Sequence, residues 1–153
     1  MMNAPSPLPP VVLLIEDSDE DYTAFARAIR LTGLEHTLHR CRDGDEALAF
    51  LFQQGPHAGP RTTPRPSLIL LDLNLPGTDG REVLARVKRD ERLRAIPLIV
   101  LTTSANPQDI HECYRQGANS YQVKSANYEG FKGEVQRTVD YWFRTAVTPA
   151  SEE

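Results

Sequence analysis

Polar residues that can take part in catalysis or ligand binding stand directly after four short segments of the chain, three of which are apolar at every position. These residues are Glu16-Asp17 after residues 11–15, Asp72 after residues 68–71, Thr102 after residues 98–101, and Lys124 after residues 120–123. Carboxylates that lie close together repel one another unless a cation intervenes, and oxygen-only ligands suit Mg²⁺. If the fold brings these side chains together, the sequence predicts a magnesium site beside a hydroxyl and an ammonium group.

Each of these residues alone also has an ordinary structural interpretation. An acid after a strand can cap a helix or lie in a solvated loop, and a lysine there is usually a surface residue. The combined pattern is more specific, because an acid pair, an acid, a hydroxyl and a lysine follow four predicted strands in that order. We therefore interpret them together as one functional site.

The elements that position these residues follow from the alternation of apolar runs with amphipathic stretches. Five strands and five helices in strict alternation predict a parallel, doubly wound α/β sheet with helices on both faces. Ser18 is the predicted cap of the first helix, and Asn106 followed by Pro107 starts the fourth. Residues 128–143 are predicted as the last helix, and residues 53–67 as a long exposed loop.

Length and charge narrow the classes of protein that this chain represents. Its 153 residues fit one domain, and a net charge of −4 argues against a general nucleic-acid binder. The sequence shows neither a signal peptide nor an apolar run of the roughly 20 residues that a membrane span needs, so we expect a cytoplasmic protein. We predict a flexible segment at residues 1–10, a domain at residues 11–144 and a flexible tail at residues 145–153.

The order of the polar residues resembles the receiver domains of two-component response regulators. The set Glu16-Asp17, Asp72, Thr102 and Lys124 is similar to their site, and residues 70–80 resemble the segment around their phosphoacceptor. The similarity covers residues 11–143. It implies a flavodoxin-like, doubly wound five-stranded parallel sheet with five helices, and a phosphorylation switch in two-component signal transduction rather than an enzyme.

The resemblance also implies a role for each matching residue. Asp72 would accept the phosphoryl group. Mg²⁺ would be held by Asp17, by Asp72, by the backbone carbonyl of Asn74 and, through water, by Glu16. Thr102 and Lys124 would bind phosphoryl oxygens, and Tyr121 would be the aromatic switch residue that responds when Thr102 moves.

One departure from this family concerns the residue after the lysine. Receivers usually have a proline there, in a cis peptide, whereas this chain has Ser125. The loop is therefore either trans and reshaped, or cis under strain. Lys124-Ser125, the long loop, residues 101–104 and the ending at residues 141–143 resemble single-domain regulators paired with phytochrome-type histidine kinases. This similarity implies a sensor histidine kinase partner, specifically a bacteriophytochrome.

The end of the last helix predicts self-association. Val139, Tyr141, Trp142 and Phe143 exceed what one helix face can bury, and exposed aromatic clusters often mark interfaces. The resemblance to phytochrome-partnered regulators implies a homodimer through the last two strand–helix elements. The alternative is that all four residues cover the edge of the core or the start of the tail.

Two other functions remain open. An aspartyl-phosphate hydrolase on a related fold would place a second aspartate two residues after its nucleophile, where this chain has Asn74. A degenerate receiver would act only as an interaction module, although here all the key residues are present.

Overall fold

The structure is a computed structural model that describes residues 8–54 and 63–149. Within these residues, five strands alternate with five helices, as predicted. In chain order they are β1 (Val11–Ile15), α1 (Asp19–Arg30), β2 (Thr37–Cys41), α2 (Gly44–Phe52), β3 (Leu68–Leu71), α3 (Gly80–Arg89), β4 (Leu98–Thr102), α4 (Pro107–Arg115), β5 (Ser120–Val123) and α5 (Tyr128–Asp140), followed by a π-helical turn (Tyr141–Thr145).

The five strands form one parallel sheet in the order β2-β1-β3-β4-β5. The predicted doubly wound fold is confirmed. The strand order reverses at β1, which pairs with β2 on one side and with β3 on the other. Ligands of doubly wound sheets bind beyond the carboxyl ends of the strands at such a reversal. The fold therefore places a site where Glu16-Asp17 and Asp72 leave β1 and β3.

Each face of the sheet supports its own apolar core, because successive side chains of a strand point to opposite faces. In β1, Leu13 and Ile15 pack in the core that α2, α3 and α4 cover. Val12 and Leu14 pack in the core that α1 and α5 cover. All four side chains are buried, which explains why the run is apolar at every position.

Side chains at the predicted positions start the helices. The hydroxyl of Ser18 accepts a hydrogen bond from the backbone N–H of Asp21, and Asn106 caps α4 with Pro107 in the first turn. Asp79 caps α3 in the same way by accepting from Arg81 N. These caps fix where each helix begins relative to the strand before it.

The predicted last helix differs from the structure beyond Asp140, where the α-helix gives way to the π-helical turn. The N–H of Ala146 donates to the carbonyl of Tyr141 over 2.7 Å, which is the spacing of a π-helix. Trp142 and Phe143 are half-buried against the core beneath α1 and α5. The side chain of Tyr141 is 52% exposed, so the aromatic ending divides between core and surface.

Three segments predicted to be flexible or exposed fall partly outside the described residues. They are residues 1–7 of the N-terminal segment, residues 55–62 of the long loop, and residues 150–153 of the tail. Among the residues described, no helix combines the length and the apolar character needed to cross a membrane.

Candidate functional site

Asp72 lies one residue beyond β3 and is 8% exposed. Its Oδ1 accepts hydrogen bonds from the Thr102 hydroxyl at 3.0 Å and from the backbone N–H of Asn74 at 3.2 Å. Its Oδ2 accepts from the Lys124 ammonium at 3.0 Å. The carboxylate is therefore held by donors on both oxygens, and three of the predicted site residues meet at it.

Lys124 reaches Asp72 although no proline follows it. The described residues contain no cis peptide bond, so the bond between Lys124 and Ser125 is trans. Two hydrogen bonds hold this part of the chain, from Lys124 N to Thr102 O at 2.7 Å and from Ser125 N to the Glu134 carboxylate at 3.2 Å. The predicted proximity of Lys124 and Asp72 is confirmed.

The carboxylates of Glu16, Asp17 and Asp72 form a cluster suited to a metal ion. Each offers one oxygen, and these oxygens lie within 4.8 Å of one another. Glu16 and Asp72 are buried, whereas Asp17 is exposed and gives access from solvent. A hard cation with oxygen ligands fits this donor set, and the mutual repulsion of the carboxylates favours its binding.

Burial and charge act against each other at the Glu16–Lys124 pair, whose oxygen and nitrogen atoms are 2.5 Å apart. Burial raises the pKa of Glu16 from 4.5 to about 7, and the charge of Asp72 adds to this effect, while Lys124 lowers it. Burial also acts to lower the pKa of Lys124, but its hydrogen bonds to Asp21 and Glu16 and the charge of Asp72 raise that pKa above its ordinary value. Lys124 therefore remains a cation near neutral pH.

The loop between β3 and α3 returns across the end of the strand to bring α3 against Asp72. Gly77 has a φ of 70°, a left-handed conformation that glycine adopts without steric cost. The N–H of Gly80 donates to Leu73 O at 3.0 Å. A Cβ atom at Gly80 would lie 2.4 Å from the carbonyl oxygen of Asp72, so the close approach requires glycine.

Thr102 and Tyr121 lie on neighbouring strands, with Thr102 fully buried and Tyr121 half-buried. The Tyr121 hydroxyl donates over 2.8 Å to the carbonyl of Ser104, which lies two residues after Thr102 in the loop that follows β4. Burial raises the pKa of Tyr121, so its hydroxyl keeps its proton and acts as the donor. A shift of Thr102 can therefore be transmitted to Tyr121 through this loop.

An ion-pair network fixes the same loop to two helices. The Ser104 hydroxyl donates to one oxygen of Asp109 at 2.7 Å, and Arg81 donates to the other from Nε at 3.0 Å and Nη2 at 2.9 Å. Asp109 therefore links the loop after β4 to α4 and, through Arg81, to the start of α3.

The structure brings together Glu16, Asp17, Asp72, Thr102 and Lys124, and it places Tyr121 beside the loop that follows Thr102. For Asn74 it shows the backbone N–H at Asp72, and the predicted metal contact of the carbonyl stays a prediction. Sequence reasoning missed Asp21, whose carboxylate lies 2.8 Å from Lys124 Nζ. The acidic first turn of α1 was the available signal, but Asp21 does not follow a strand.

Comparisons with known proteins agree with this geometry. Residues 12–136 match the response regulator receiver domain. The chain is 43% identical over 143 residues to the response regulator Rcp1 of Synechocystis sp., which covers 94% of this chain and 95% of that protein. The crystal structure of the Mn²⁺-bound form of Rcp1 superposes with a TM-score of 0.88 at 44% identity, over 93% of this chain and 100% of that one.

A second solved structure adds the phosphorylated state of a related protein. The phosphorylated cyanobacterial phytochrome response regulator RcpA superposes with a TM-score of 0.87 at 41% identity, over 92% of this chain and 99% of that one. Because the family match, the relative and both structures each cover most of the chain, this protein belongs to the response regulator receiver domain family.

Proposed function

We propose that Asp72 accepts a phosphoryl group from the phosphohistidine of a sensor histidine kinase. An Asp72 oxygen forms a bond to phosphorus as the phosphorus–nitrogen bond breaks, and the histidine imidazole leaves. The observation that carries this proposal is the pairing of the Asp72 carboxylate with Lys124 at 3.0 Å and Thr102 at 3.0 Å. Both donors can then serve the phosphoryl oxygens, whose negative charge must be stabilised during transfer.

Mg²⁺ is the proposed cofactor. Asp17 and Asp72 would hold it directly, Glu16 through water, and the Asn74 carbonyl would complete the protein ligands. The three acids offer clustered oxygen atoms, and Mg²⁺ typically binds through few protein ligands while it keeps several waters. When bound, the ion neutralises charge on the phosphoryl oxygens. The Mn²⁺-bound form of the relative Rcp1 supports a divalent ion as cofactor.

The proposed output is a change in protein contacts. When Asp72 is phosphorylated, Thr102 moves toward the phosphoryl oxygens. The loop from Thr102 to Ser104 moves with it, and the Tyr121 ring repacks. This is a two-state packing change of the kind that transmits a switch. Tyr121 already donates to Ser104 O, so loop and aromatic ring are coupled before phosphorylation.

The proposed partner is a phytochrome-type kinase, and the similarity to the phytochrome response regulator RcpA supports it. We infer a regulator that works in the cytoplasm through a receiver domain of residues 11–144. It signals through proteins rather than nucleic acid and does not act as an enzyme. Phosphotransfer from the kinase, compared in light and dark, tests the pairing directly.

Labelling by acetyl phosphate in the presence of Mg²⁺ tests the site. Asp72→Asn should abolish the label, and full labelling of this variant would refute the assignment. Wild-type protein that takes no label would instead indicate a degenerate receiver. Rapid turnover of a generic aryl phosphate would favour the hydrolase. The Mg²⁺ ligand set is tested by Asp17→Ala, which should remove metal binding while the far-ultraviolet circular dichroism stays unchanged.

We also propose a homodimer through the face formed by α4, β5 and the π-helical turn. Three large apolar side chains are exposed there: Tyr114 at 50%, Val123 at 41% and Tyr141 at 52%. β5 is an edge of the sheet, so this face lies beside the switch residue Tyr121. Exposed aromatic side chains are enriched in interfaces.

Sedimentation across a concentration series tests the dimer. Tyr141→Ala should weaken it, whereas Leu31→Ala, which removes an exposed apolar side chain at the end of α1, should not. A protein that stays monomeric at high micromolar concentration would refute the proposed interface.

A further inference from the structure

The Lys124 ammonium has three N–H donors, and carboxylates accept all of them. The acceptors are Glu16 at 2.5 Å, Asp21 at 2.8 Å and Asp72 at 3.0 Å. The Lys124 side chain is 5% exposed, so water has little access to it. Two of the acceptors belong to the candidate metal cluster, but Asp21 does not.

We propose that Asp21 is a positioning residue that holds the Lys124 ammonium at Asp72 for phosphoryl transfer. This inference rests on the proposed function of Asp72 and assigns to Asp21 a role that acts only through Lys124. Among the described residues, no hydrogen bond or ion pair joins the Asp21 carboxylate to Asp72 or to the candidate metal cluster.

The count of donors supports this role. Once Asp72 carries a phosphoryl group, the N–H that pointed to its Oδ2 becomes available to a phosphoryl oxygen. The other two donors must keep the ammonium in place. Glu16 is less suited to this task, because its carboxylate also belongs to the candidate metal cluster. Asp21 can hold the ammonium throughout the reaction.

The position of Asp21 in α1 holds its backbone in place. It lies in the first turn of α1, and its N–H donates to the Ser18 hydroxyl at 3.1 Å. The helix itself packs against the sheet through Phe25 and Ile29, both buried. The Asp21 carboxylate is therefore anchored by an element that does not depend on the loops around Asp72.

The first experiment measures how strongly the Lys124 amine is protected from acylation in metal-free protein. The rate at which acetic anhydride acylates Lys124 is mapped by mass spectrometry, with Lys88 and Lys132 as internal references. Asp21→Ala should raise the acylation rate of Lys124 about fivefold, because it removes a hydrogen bond between charged groups. The partial solvent exposure of Asp21 screens this interaction and limits the effect to that size. Glu20→Ala is the matched control: it removes an exposed acid from the same helical turn, away from Lys124, and should change nothing.

The second experiment measures labelling by acetyl phosphate with saturating Mg²⁺. Asp21→Ala should slow labelling about fivefold on the same reasoning. Asp21→Asn keeps an oxygen acceptor and should recover part of the rate. In a Lys124→Ala background, Asp21→Ala should have no further effect, because the residue it serves is gone.

The outcomes separate this inference from the proposed function. If wild-type protein labels while Asp21→Ala matches it in both labelling and Lys124 acylation, the inference is wrong and the function stands. An equal loss from Asp21→Ala with and without Lys124 also overturns it, because Asp21 then acts by another route. Wild-type protein that takes no label overturns both. Asp21→Asn, which preserves side-chain shape, decides the matter if Asp21→Ala does not fold.

Discussion

Gly80→Ala is expected to destabilise the protein at the site itself. A methyl group on Gly80 would lie 2.4 Å from Asp72 O, 2.6 Å from Leu73 Cα and 2.8 Å from Leu73 O. All three are backbone atoms, so no change of side-chain rotamer can relieve the contact. The hydrogen bond from Gly80 N to Leu73 O, at 3.0 Å, closes the same junction.

The size of the effect follows from these distances. Ordinary contacts of a Cβ atom begin at 3.4 Å, so α3 and the end of β3 must separate by about 1 Å. Overpacking a close contact costs roughly 1–3 kcal/mol, and weakening one hydrogen bond adds about 1 kcal/mol. The higher helix propensity of alanine offsets less than about 1 kcal/mol of this destabilisation. We expect a net loss of about 3 kcal/mol in the free energy of unfolding, together with slower labelling because Asp72 moves relative to Thr102.

Urea unfolding followed by circular dichroism measures this loss, with Gly133→Ala as the matched control. Gly133 lies within α5, and the nearest atom to its added Cβ is the flexible end of Arg137 at 3.0 Å. Here alanine should stabilise the helix by up to about 1 kcal/mol. The steric reasoning would be contradicted if Gly80→Ala were as stable as the wild type, or if both variants lost the same free energy of unfolding.

Two further predictions concern a buried carboxyl group and a half-buried lysine. The pKa of Glu16 is about 7 in the folded protein against an ordinary 4.5, so the folded state binds this proton more tightly, and the free energy of unfolding should fall as pH rises from about 4.5 to about 7. Urea unfolding of metal-free protein should show a fall on the order of 2–3 kcal/mol that Glu16→Gln lacks. Lys88 donates to Arg94 O, Ile96 O and the Asn119 side chain, each at 2.9 Å, so Lys88→Met should cost about 2 kcal/mol by the same assay.

Each of these two predictions has its own control. A pH dependence that is unchanged in Glu16→Gln would mean that another group titrates in this range. Lys132→Met removes a lysine whose partner Glu129 is 79% exposed, and it should leave stability nearly unchanged. If Lys88→Met behaved like Lys132→Met, the three hydrogen bonds of Lys88 would contribute nothing to stability.

The sequence by itself determined the sheet and the residues at its edge. Apolar residues at every position of β1 and β3 require burial on both faces, which only a sheet covered by helices provides. Because parallel strands end at the same edge, Glu16-Asp17, Asp72, Thr102 and Lys124 had to lie near one another. Local chemistry also fixed the helix starts at Ser18 and Asn106.

Tertiary structure alone decided which of these groups touch and what else joins them. Asp21 and Lys124 are 103 residues apart in the chain, and no periodicity links a residue in the first turn of a helix to the end of a distant strand. The same holds for Arg81 and Asp109, which meet because α3 and α4 cover one face of the sheet. Sequence patterns encode burial and local hydrogen bonding, whereas pairing between distant side chains depends on how the helices pack on the sheet.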